Sequence, residues 1–161
     1  MSPNASWQQI VASSLDWDQA HTKLDDALKG LPPSDRGRRP DGAPHSVWQL
    51  LEHIRIAQHD LLDFCVNENY KHEIEWPEGY WPRDPAPPTG SSWDECIAAI
   101  SADREGLAHL TTDGSVDLTS KIPHGTGQTY LRTILVAVDH TAYHLGQIVT
   151  VRRLLGAWPP E

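Results

Sequence analysis

The stretch QTYLRTILVAVDHTAYHLGQIVTVRRLL, from Gln128 to Leu155, decides how the rest of the chain is read. Leu131, Ile134, Leu135, Val138, Ala142, Leu145 and Val149 recur at helical spacing and form one apolar stripe. Ala137, Ile148, Val151 and Leu155 form a second, and His140 and His144 sit within it. Only a narrow strip with Arg132, Asp139, Tyr143 and Thr150 suits open water. A helix that is apolar almost all round is buried on both sides. This one is therefore expected at the heart of an all-α fold, its outer side covered by a second copy of the chain in a homodimer, since cyclic pairs are the commonest assembly. Gly156 and Pro159-Pro160 close it.

Upstream, three more helices are expected. The first runs from about Ser6 to Gly30, with Ile10, Trp17, Leu24 and Leu28 on one side and Trp7 at its margin. Gly30 and Pro32-Pro33 stop it. The second opens near Ser46, where Ser46 and Gln49 have capping-box spacing, and buries Leu50, Leu51, Ile54, Ala57, Leu61 and Cys65. The third spans Ser92 to Leu110 with Trp93, Cys96, Ile97, Ile100 and Leu107 inward, and Ser92 with Glu95 repeats the capping-box spacing. Residues 34–44 and 111–127 read as loops. Between about Asn67 and Ser91 lies a long link with Trp76-Pro77, Trp81-Pro82 and Pro85-Ala86-Pro87-Pro88. Loops of that length often carry function, and its tryptophans either cover a pocket or pack on the bundle. Four helices with one long crossover make a four-helix bundle, and 161 residues suit a single domain over 1–161.

Thirteen Lys and Arg against twenty-two Asp and Glu leave a net charge of −9. That balance argues against nucleic acid as a partner and against acidic membrane surfaces. The apolar run Ile134–Val138 is far too short for a bilayer span. Met1-Ser2-Pro3-Asn4 has no secretory signal character, and two cysteines make no disulfide framework. A reducing cytoplasm is expected.

The unusual feature is histidine, nine in all. His140 and His144 stand four residues apart, so their rings leave adjacent turns of one helix face. Among Ala137, Ile148 and Val151 such rings need partners to offset their desolvation. A metal ion, a buried water or a carboxylate would each serve. His53 flanks the second helix's apolar stripe, and no local spacing ties it to His140. His21 shares the first helix's inward side with Trp17 and Leu24, so it either lines a pocket or is a satisfied core histidine. His124, in Pro123-His124-Gly125, is exposed or reaches a pocket rim. Asp60, two turns from His53, could hydrogen-bond a ligand imidazole or lie on the surface. His59 and Asp63 read as a solvated pair, and Cys65 and Cys96 as small core residues. No Ser-His-Asp set, phosphate loop or paired-acid motif is visible.

Ser46-Val47-Trp48-Gln49-Leu50-Leu51-Glu52-His53-Ile54, together with Asp139-His140-Thr141-Ala142-Tyr143-His144-Leu145-Gly146-Gln147-Ile148, resembles the DinB-like superfamily. That superfamily includes damage-inducible proteins, bacillithiol transferases and mycothiol-dependent maleylpyruvate isomerases. The resemblance implies an up-down-down-up bundle, commonly dimeric, in which His53, His140 and His144 bind one divalent metal. Three neutral imidazoles would leave coordination positions open, the mark of a catalytic site. Zinc suits imidazole best, with nickel, iron and manganese as alternatives. Gly146 is expected to permit close helix approach, and Gln147 to point toward the site or into solvent. The function so implied is a metal-dependent enzyme acting on a small molecule, most readily a transferase using a low-molecular-weight thiol, with metal-assisted hydrolysis second. A non-catalytic, stress-related dimer that binds metal or a small molecule is the rival.

Overall fold

In the computed structural model, which describes residues 6–158, five α-helices carry the fold: α1 (Trp7–Ser14), α2 (Leu24–Leu28), α3 (Val47–Val66), α4 (Ser92–Thr112) and α5 (Tyr130–Leu154). Short 3₁₀ turns lie at Pro33–Asp35 and Glu78–Tyr80. Among the described residues there is no strand, only an isolated bridge between Lys121 and Thr129. The all-α expectation holds. Met1 to Asn4 and the stop signal Pro159-Pro160 lie outside the described residues.

The start of α3 follows its local sequence. The Ser46 hydroxyl accepts from the Gln49 amide and the Gln49 side chain accepts from the Ser46 amide, so orphan N–H groups at that end are satisfied. At α4 the expected box does not form. Its cap is Ser91, without a side-chain bond, and the Ser92 hydroxyl turns instead to Thr89, at 2.7 Å from that residue's hydroxyl. The long first helix also divides. Ser13 and Ser14 bond back to the carbonyls of Gln9 and Val11, competition that weakens a helix lacking a buried face. Trp7 and Ile10 are exposed, and only Leu24 and Leu28 of the expected stripe are buried. Gly30, with φ of 68°, adopts the left-handed conformation expected just beyond α2.

Two apolar clusters form the core. One gathers Leu24 and Leu28 of α2, Val47 to Ile54 of α3, Trp93 to Ile100 of α4 and Leu145, Ile148 and Val151 of α5. The other gathers Cys65 of α3, Leu107 and Leu110 of α4, Leu118, Ile122, and Ile134 and Ala137 of α5. Thus α3 and α4 both run from the first cluster to the second, and α5 runs back. Burying one such Leu or Ile contributes about 1.5–3 kcal/mol. On α5 the clusters stop at Ala137 and resume at Leu145, and the interval holds His140 and His144. These two histidines therefore occupy a seam between two apolar blocks.

Residues from both predicted stripes of α5 (Ile134 and Leu145 on one, Ala137, Ile148 and Val151 on the other) are buried within the one chain. The exposed row is Arg132, Leu135, Asp139, Tyr143, Gly146 and Thr150, which contains the four residues expected in water. Near its end Arg152, 1% exposed, donates to the carbonyls of Ala27 and Ala157 and lies over the Trp158 ring, tying α2 to the last turn of α5.

Candidate metal centre

The buried His53 projects from α3, and His140 and His144 from successive turns of α5. Nε2 of His53 lies 3.0 Å from Nε2 of His140 and 3.1 Å from Nε2 of His144. The donor atoms of the three rings all fall within 4.8 Å of one another, so they could hold a metal ion.

The protons decide what these contacts are. Nδ1 of His53 lies 2.8 Å from the Tyr80 carbonyl, which only accepts, so Nδ1 carries the hydrogen and Nε2 a bare lone pair. Nδ1 of His144 stands likewise at 2.8 Å from Oε1 of Gln147. Both rings thus aim lone pairs at each other across 3.1 Å. A hydrogen on Nε2 of His140 would satisfy one of these contacts and leave the other repulsive. A cation satisfies all three at once. The two separations from His53, 3.0 and 3.1 Å, fit as well, because donors about 2.1 Å from one ion lie about 3.0–3.4 Å apart.

Burial prepares the same state. Desolvation is the main reason that His53 is held down at about 4, opposing the bond to Tyr80. Desolvation also holds His140 at about 4, with lesser contributions from His144 and His53. His144 is lowered too, again by burial first. At neutral pH all three are the uncharged imidazoles that metals require.

The long link builds the roof. Trp81 stacks flat on His53, with centroids 3.7 Å apart and planes within 5°, and its other side stacks on His45 at 3.9 Å. Gln49 donates to the Pro82 carbonyl at 3.1 Å and the Ser46 hydroxyl donates to that of Pro85, so the cap of α3 also fastens the roof. Its tryptophans divide: Trp81 covers the triad, while Trp76 is 74% exposed. A groove of about 400 Å³ opens between the 41–45 loop and α5, lined among others by Asp41, His45, Leu50, Tyr143, Gln147 and Val151; no triad imidazole lines it, and it meets the triad through Gln147, bonded to His144, and His45, stacked on Trp81.

The structure brings together His53, His140 and His144, and Gln147 joins them through His144. Asp60 touches no imidazole of the triad. Its two oxygens accept from the hydroxyls of Tyr70 at 2.8 Å and Tyr80 at 2.7 Å. His21 is exposed, because the first helix ends before it, and its Nδ1 meets the carbonyl of neighbouring Thr22. It does line a cavity of about 30 Å³ with Asp16, Arg104 and Thr141, room for a water, but none of the triad borders it. His124 is half-buried, its Nε2 donating to the Phe64 carbonyl at 2.8 Å and its ring edge-on to the Phe64 ring. His59 pairs with Asp103 of α4 rather than with Asp63. Gly146 faces the groove, and a Cβ there would meet nothing within 4 Å, so close helix approach is not its role. Cys65 and Cys96 are buried, and desolvation pushes the Cys65 thiol up to about 12, so both are inert core residues.

Sequence reasoning missed His45 and Tyr80. Neither has a local spacing to the triad. Their one signal is position: His45 directly precedes the capping serine, and Tyr80 precedes the tryptophan of the link.

A family model, described as DinB superfamily, matches residues 16–148 and so spans both histidine motifs and the link between them. No curated protein and no solved structure matches the chain.

Proposed function

This chain belongs to the DinB superfamily, and from that premise and the geometry of the triad we propose that it is a divalent-metal enzyme transferring a low-molecular-weight thiol to a small electrophile. The observation that carries the metal reading is the set of three converging Nε2 atoms, two with their N–H groups committed elsewhere. Zinc suits three imidazoles best, and nickel, iron and manganese also accept them. When bound, such an ion favours the thiolate form of a coordinated thiol or lowers the pKa of a water to about 7.

The protein's own residues do the rest. His53, His140 and His144 supply neutral donors, while the Tyr80 carbonyl and Gln147 hold two of them in the ligating tautomer. Trp81 excludes water from one side of His53. The groove receives the organic body of the substrate: Leu50, Val151 and Leu154 offer apolar contact, and Asp41, His45 and Thr150 offer polar contact.

The test is elemental analysis of untagged protein, followed by incubation of metal-loaded protein with a thiol panel and an electrophile. Bound metal lost in His140→Ala, with metal-dependent thioether formation, is the expected result. Bound metal with hydrolysis of the electrophile would replace transfer by hydrolysis. Bound metal without any product would leave a non-catalytic binder, and no metal would overturn the reading.

We further propose an up-down-down-up bundle forming one domain, on the shared direction of α3 and α4. Pairing with a second copy through α5 is proposed on its exposed Leu135 and Tyr143. Sedimentation giving only an 18.0 kDa species at micromolar concentration would refute the pairing. No helix among the described residues is long and apolar enough to cross a membrane. A cytoplasmic site of action, proposed from the two free cysteines, would be excluded by localisation of a tagged chain elsewhere.

A further inference from the structure

Asp60, on α3, engages two phenols of the link at once. Oδ1 accepts from Tyr70 at 2.8 Å and Oδ2 from Tyr80 at 2.7 Å. A charged acceptor makes these stronger than ordinary hydroxyl bonds. Tyr80 is 6% exposed, so its ring and hydroxyl have no room to wander. The same residue presents its carbonyl to Nδ1 of His53 at 2.8 Å. Asp60 and His53 lie on one helix and Tyr80 closes the circuit between them: its side chain is anchored by the first and its backbone anchors the second.

We propose that Asp60 is a positioning residue for the metal centre, acting through Tyr80 to hold His53 in the tautomer and orientation that present Nε2 to the cation. The inference rests on the metal reading above. Without the clamp, the Tyr80 carbonyl loses its fixed distance from Nδ1, the hydrogen redistributes between the two ring nitrogens, and a share of the molecules offers N–H where the ion needs a lone pair. Tyr70 is the lesser partner, because only Tyr80 carries the carbonyl. This differs from the direct carboxylate–imidazole contact that the spacing of Asp60 and His53 suggests.

The test uses Asp60→Ala, Tyr80→Phe, Tyr70→Phe and, as a control for loss of an ion pair elsewhere on α3 and α4, Asp103→Ala. Affinity is measured by titrating each protein with zinc. Losing the support of a ligand imidazole weakens metal binding by about 10- to 100-fold, which is expected for Asp60→Ala and Tyr80→Phe. Tyr70→Phe should lose less, and Asp103→Ala should stay within about twofold of the parent. Combining Asp60→Ala with Tyr80→Phe should add little, since both break one path. A second readout needs no metal: ¹⁵N shifts of the His53 ring in the metal-free protein. They should report the Nδ1–H tautomer in the parent and a tautomer mixture in Tyr80→Phe, which keeps its bulk and fold. Parent-like His53 shifts or unchanged zinc affinity in Tyr80→Phe would overturn the proposal. Failure of the parent itself to bind zinc would instead overturn the metal reading, and the shifts would still judge the clamp.

Discussion

Lowering the pH should destabilise the metal-free protein through its triad, with a slope that can be worked out. In the folded chain His53 and His140 hold no proton until about pH 4, whereas in the unfolded chain both titrate near 6.5. Between those values the unfolded state binds more protons, so stability rises with pH there and falls as the solution is acidified. Each proton of difference contributes about 1.4 kcal/mol per pH unit, so two rings give a slope approaching roughly 2.7 kcal/mol per unit between about pH 6 and 4.5. Over the whole window the loss is on the order of 5 kcal/mol for the pair, a large share of the ~5–15 kcal/mol that holds a domain together. Urea unfolding followed by tryptophan fluorescence, in chelator at pH 7.5, 6.5, 5.5 and 4.5, measures it. The comparison is the double variant His53→Leu/His140→Leu, in which the carboxylates titrate as before and only the two rings are gone. The parent should lose about 2–3 kcal/mol more per unit than the variant across the lower half of that range. Parallel curves would refute the argument that burial keeps these imidazoles neutral.

Two further substitutions probe the scaffold. Ser46→Ala removes the cap of α3 and strands the Pro85 carbonyl; a cap and an unpaired buried acceptor together predict a loss of about 2–3 kcal/mol, and a urea midpoint equal to the parent's would contradict it. Arg152→Met deprives the Ala27 and Ala157 carbonyls of their donor and should cost about 2–4 kcal/mol with a red shift of Trp158 emission; an unchanged spectrum and midpoint would show that the clamp is dispensable.

Local signals were legible and distant ones were not. The α3 box needs only Ser46 and Gln49, three residues apart in one turn, and it forms as read. The period of α5 runs over seven turns, so its helix was unmistakable. The first helix was misread because the 3.6-residue count gave Ile10 and Trp17 a core to face, while the serines beside them had carbonyls nearer to hand. Ser92 failed as a cap because Thr89, three residues back, captured its hydroxyl. At the triad, His140 and His144 declare themselves by spacing. His53, 87 residues from His140, joins them in the sequence only through resemblance. Tyr80 and Trp81 had no period to betray them: they reach His53 by the folding of a loop.

The division between helix and loop at the centre has a consequence for divergence. All three donor imidazoles stand on α3 and α5, which the core holds rigid, while the carbonyl and the indole that condition His53 stand on the 67–91 link. On the proposed metal reading, changes in that link would retune reactivity and substrate preference without disturbing any of the three histidines. Chains with the same pair of histidine signatures but unlike links are therefore expected to keep the cation and part company in their chemistry.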